Sequence, residues 1–84
     1  MNRKQISTLK AIFTKPAPVT LEWARIESLF TAAGARTTES NGSRVHFALN
    51  GAVGTFYQSH SDKEAKPYQV RHARYFLEQA GVTP

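Results

Sequence analysis

Three histidines, at positions 46, 60 and 72, are the side chains of this sequence best suited to moving protons near neutral pH. Cutting RNA without a metal requires a base for the 2′-hydroxyl and an acid for the departing 5′-oxygen. Two imidazoles converging on one phosphate can serve both roles. His46 stands two residues from Arg44, and two residues apart in a strand means the same face. If Phe56 points inward, then Val53, Thr55 and Tyr57 join them on the outer face. A guanidinium, an imidazole and a phenol ring on an open sheet suit single-stranded RNA, which offers phosphates to pair and bases to stack. His60, at the mouth of the following loop, can meet His46 at one scissile phosphate while Arg44 or Lys63 offsets the developing charge. His72, between Arg71 and Ala73, reads as a surface residue. Asp62 and Glu64 sit beside Lys63 in a mixed-charge stretch and read as solvated charges rather than magnesium ligands. The sequence has no GxSxG elbow, no phosphate-cradling loop ending in Gly-Lys-Ser/Thr and no HExxH.

Positioning these residues falls to six elements. Ile6, Leu9, Ile12 and Phe13 recur at helical spacing, predicting a helix over Lys4 to Phe13 that Pro16 and Pro18 stop. Thr20 suits an N-cap, and Trp23, Ile26, Leu29 and Phe30 mark one face of a second helix closed by Gly34. Beyond Ala35 the period changes to two. Asn41-Gly42 and Asn50-Gly51 suit type I′ hairpin turns, so three antiparallel strands are predicted: Arg36 to Ser40, Ser43 to Leu49 and Ala52 to Gln58. Val45, Phe47 and Leu49 belong to the core face of the middle strand. Residues 59–66 read as a charged loop, and Pro67 opens a third helix whose stripe is Val70, Ala73, Phe76, Leu77 and Ala80, closed by Gly81. Lys63, Lys66, Arg71 and Arg74 gather positive charge around the entry to this helix. The order α-α-β-β-β-α is an α+β plan, a three-stranded antiparallel meander with helices on one face and the other face open.

At 84 residues, 40% hydrophobic and 20% charged, the chain has material for one small core and none for a second. Residues 1–84 therefore read as a single domain, with 1–18 an N-terminal helix and Pro-containing linker and 19–84 the core. Eleven Lys and Arg against six Asp and Glu leave +5, a balance that favours a polyanionic partner, with nucleic acid first. The absence of cysteine excludes a disulfide scaffold, a thiolate nucleophile and Cys-containing zinc sites. No cofactor and no metal site is expected. No apolar run approaches the roughly 20 residues that span a bilayer, and no signal-peptide pattern follows Met1, so no membrane association and a cytoplasmic location are expected.

The run Gly42-Ser43-Arg44-Val45-His46-Phe47, with His60-Ser61-Asp62-Lys63-Glu64, Lys66-Pro67 and Leu77-Glu78-Gln79-Ala80-Gly81-Val82, resembles the HicA toxin family. These are the small ribonuclease halves of bacterial HicA–HicB toxin–antitoxin pairs. The resemblance covers about Leu29 to Val82. It implies the fold of a double-stranded-RNA-binding domain, metal-independent cleavage of mRNA and a HicB-like antitoxin covering the active surface. In the family's Gly-Ser-His-His-x-Phe strand the catalytic histidine directly follows Gly-Ser. Here that place holds Arg44, Val45 replaces the second histidine, and His46 stands third, roughly 7 Å along the strand from position 44. His60 matches the family's histidine at the end of the third strand, with Ser61 in place of the usual proline. Taken together with the reading of the sheet face, the resemblance leaves His46 and His60 as the candidate acid and base, with Ser43, Arg44, Tyr57, Lys63, Lys66, Arg71 and Arg74 toward RNA. The alternative is a catalytically impaired RNA-binding or antitoxin-binding module, because Arg44 occupies the catalytic histidine's place. The predicted first helix lies outside the compact family pattern.

Overall fold

The computed structural model describes residues 1–16, 21–41, 44–57 and 63–84. Its elements are α1 (Arg3–Phe13), α2 (Trp23–Ala33), β1 (Arg36–Asn41), β2 (Arg44–Leu49), β3 (Ala52–Tyr57) and α3 (Pro67–Gln79). The three strands form an antiparallel sheet in the order β1-β2-β3. The α+β order and the meander are those the periodicity predicts.

Local chemistry sets most boundaries. Asn50 and Gly51 both have positive φ, 50° and 85°, between the paired residues Leu49 and Ala52, as a two-residue type I′ turn requires. The Asn50 side chain also donates to the Ala80 carbonyl at 3.0 Å, tying this hairpin to the end of α3. At Gly34 the chain turns left-handed, and Ala35 N–H reaches back to the Phe30 carbonyl at 2.9 Å. Gly81 does the same for α3, where Val82 N–H donates to the Leu77 carbonyl. Pro67 occupies the first turn of α3, where its missing N–H costs nothing. The turn predicted at Asn41-Gly42 falls differently: Asn41 pairs with Arg44 as the last residue of β1, and residues 42–43 lie outside the described residues.

Three expectations are corrected. The N-cap of α2 is Glu22, not Thr20, which lies outside the described residues. The chain before α2 is committed to a short antiparallel bridge: Ala65 N–H donates to the Leu21 carbonyl at 2.8 Å and Trp23 N–H to the Lys63 carbonyl at 2.9 Å. Residues 63–65 are therefore anchored backbone rather than free loop, and Ala65 is buried. In α1, Ile6 is 42% exposed and the buried residues are Thr8, Leu9 and Ile12. Thr8 enters the core because its hydroxyl donates to the Lys4 carbonyl at 2.9 Å, leaving only its methyl and stem to pack.

The core lies between the inner sheet face and the three helices. Five aromatic rings, Trp23, Phe30, Phe47, Phe56 and Phe76, meet at centroid separations of 5.1 to 6.0 Å, mostly edge-on or tilted. α1 packs against α2 and α3, and α3 packs on β3. Among the described residues no helix is long and apolar enough to cross a membrane.

Candidate nucleic-acid interface

Alternation in β2 buries Val45, Phe47 and Leu49 and sends Arg44, His46 and Ala48 to the outer face. In β3, Gly54 and Phe56 face inward while Val53, Thr55 and Tyr57 face out. The hairpin register then sets Arg44 opposite Tyr57 and His46 opposite Thr55. Each pair makes contact. His46 Nδ1 and Thr55 Oγ1 are 2.9 Å apart, and the Arg44 guanidinium carbon lies 5.5 Å from the Tyr57 ring centroid, within cation–π range.

The threonine hydroxyl can donate to or accept from Nδ1, so the ring is held in either tautomer. No hydrogen bond among the described residues occupies its Nε2. Tyr57, 51% exposed, offers a ring face to solvent, and Arg44 is exposed beside it. An imidazole with one working nitrogen, a fixed cation and an open ring thus share one side of the sheet. Arg36, paired with Ala48, adds a second exposed cation to the same side.

The remaining predicted residues lie elsewhere. Lys63 and Lys66 are exposed on the anchored segment leading into α3. Lys66 N–H donates to Gln69 Oε1 at 2.7 Å, while Gln69 Nε2 donates to the Tyr57 carbonyl. Gln69, buried, thereby joins the first turn of α3 to the end of β3. Arg71 and Arg74 are on α3, in the layer that covers the inner sheet face, so they do not share a face with Arg44 and His46. His72 is exposed at its edge, yet its ring stacks on Phe56 at 4.5 Å with 28° between planes. Ser43 and His60 lie outside the described residues. Among the described residues no three His, Asp or Glu side chains gather as metal ligands would.

Thr55 and Arg36 are polar outer-face residues that the sequence alone did not mark as site residues. A signal for Thr55 was present: counting outward on both sides of the Asn50-Gly51 turn puts it opposite His46. Away from this face, Glu27 on α2 is held above the usual carboxylate range by burial. The Trp23 indole N–H one turn earlier draws it partly back, although that buried N–H forms no well-aligned hydrogen bond. A depression of about 220 Å³ between α1 and the start of α2 is lined by none of the candidate residues.

No curated protein and no solved structure matches the chain. The family model described as the HicA toxin of bacterial toxin-antitoxin matches residues 23–82, from the first residue of α2 to just past the end of α3. With well over half of its length matched, the chain belongs to the HicA toxin family, the toxin side of a toxin–antitoxin pair.

Proposed function

We propose that this toxin is a metal-independent endoribonuclease that cuts mRNA on the outer face of its sheet. The observation that carries the proposal is His46, held through Nδ1 by Thr55, with no hydrogen bond at Nε2 among the described residues, beside the Arg44–Tyr57 pair. Neutral His46 accepts the 2′-hydroxyl proton at Nε2, and O2′ attacks the adjacent phosphorus. The P–O5′ bond breaks, and the 5′-oxygen leaves with a proton supplied by His60, the sequence's candidate acid. The products are a 2′,3′-cyclic phosphate and a 5′-hydroxyl. Arg44 pairs the phosphate oxygens and Tyr57 stacks a base, with Ser43, Lys63, Lys66, Arg71 and Arg74 as further RNA contacts. The antitoxin is proposed to be HicB-like and to cover this face.

The test is purified protein with a long single-stranded RNA in EDTA, with product ends analysed. Cyclic-phosphate ends from the wild type and none from His46→Ala are expected. Thr55→Val should lower the rate several-fold and alter the pH–rate profile, and Thr55→Ser should restore both, since Thr55 acts by positioning the ring. Intact RNA from the wild type would sink the proposal. A catalytically impaired RNA-binding or antitoxin-binding module would then stand, favoured by one observation: directly after Gly42-Ser43 the chain has a guanidinium in place of an imidazole, a group suited to pairing phosphate rather than to acid–base work. On that account, Arg44→His should gain cleavage.

A further inference from the structure

We propose that the outward face of α3 is a second RNA surface, separate from the sheet, that takes single-stranded RNA flanking the cleavage point. Tyr68 and Tyr75 are 53% and 61% exposed, large rings left in solvent by a helix that buries Val70, Ala73, Phe76 and Leu77. Seven residues is close to two helical turns, so both rings stand on one side of α3, about 10 Å apart along its axis. Arg71 is exposed between them, and Lys63 and Lys66 precede them. Over residues 63–79 four cationic residues face two acidic ones, Glu64 and Glu78.

Charge decides the occupant. An exposed aromatic pair alone would suit a protein or a nucleic acid, but rings spaced along a basic strip suit a polyanion whose flat groups stack. The strip is also preorganised. The bridge to residues 21–23 fixes the backbone of Lys63, and Gln69 fixes the cap at Lys66. The Gln69 bond to the Tyr57 carbonyl further ties the first turn of α3, where Tyr68 stands, to the end of β3 that carries Tyr57. Among the described residues β3 is an edge strand, and no further strand separates the two surfaces there. An RNA stacked on Tyr57 and continuing round that edge meets Tyr68 next and Tyr75 after it.

The inference rests on the RNA reading given above, and the test separates the two. The full wild-type chain is titrated by fluorescence anisotropy with 2′-O-methyl RNA, which lacks the nucleophile and cannot be cut, at about five and about twenty nucleotides. Ordinary RNA is cleaved in parallel. Tyr68→Ala/Tyr75→Ala should bind the longer RNA about tenfold or more weakly and the shorter one as the wild type does. Tyr68→Phe/Tyr75→Phe, which keeps both rings, should bind like the wild type. Unchanged affinity for the longer RNA in the alanine pair overturns the inference, as does an equal loss at both lengths. Loss of antitoxin binding with RNA binding intact overturns it too, and gives the face to a protein. Tyrosine-dependent binding by a chain that never cleaves supports the inference and sinks the ribonuclease, whereas cleavage with tyrosine-independent binding does the reverse.

Discussion

A methyl group added at position 54 would stand 2.7 Å from Cε2 of Phe56 and 2.9 Å from Cδ1 of Phe76. Both atoms belong to buried rings in the aromatic cluster, so neither can swing away. Gly54 lets α3 rest directly on β3, and Gly54→Ala should cost about 1–3 kcal/mol, seen as a lower urea midpoint with an unchanged slope. A glycine inside a strand pattern signals close approach, but the sequence does not say what approaches, because Phe76 is more than twenty positions away. Glu27 gives a second prediction at this scale. Its folded pKa is raised by burial, so the charged form is the one folding disfavours. Stability is lost as pH rises from below its ordinary value of 4.5 through the raised one. Glu27→Gln should therefore raise the melting temperature at pH 7, and the gain should vanish in acid below that ordinary value. A gain that persisted there would point to packing instead of charge.

Elements were most legible where a local rule dictates the backbone. The positive φ angles at Gly34, Asn50 and Gly81 and the proline opening α3 could be read from residue type, since few other residues tolerate those conformations. The start of α2 could not, because it is set by a bridge to residues some forty positions later. The buried face of α1 was only half legible: Leu9 and Ile12 stood out, but Thr8 was hidden by its polarity and Ile6 was overcounted. Although α1 precedes the span matched by the family model, Ile12 is 0% exposed within the common core. We propose on this ground that 1–84 folds as one domain. Ile12→Ala should then cost about 2–5 kcal/mol and broaden no transition, whereas Ile6→Ala should change stability by less than about 0.5 kcal/mol. A separate early transition for α1 in chemical denaturation would show it to be an independent appendage.

At the scale of the whole molecule, a net charge of +5 favours a polyanionic partner but points to no surface for it. The sequence lists Arg44, Lys63, Lys66, Arg71 and Arg74 without saying that the sheet divides them, because which cations share a face depends on how α3 lies across β3. The structure puts Arg36 and Arg44 on the outer face and Arg71 and Arg74 on the helical layer. Salt dependence can read this division. Each phosphate neutralised releases bound counterions, so the slope of log affinity against log salt counts the contacts an RNA makes. For a short RNA confined to the outer face, Arg44→Ala should lower that slope by about 1, and Arg71→Ala should leave it unchanged. A longer RNA that also covers α3 should lose about 1 with either substitution. If Arg71→Ala flattened the slope for the short RNA as well, the short strand would be binding on the helical layer, and the catalytic role proposed for His46 would lose its substrate.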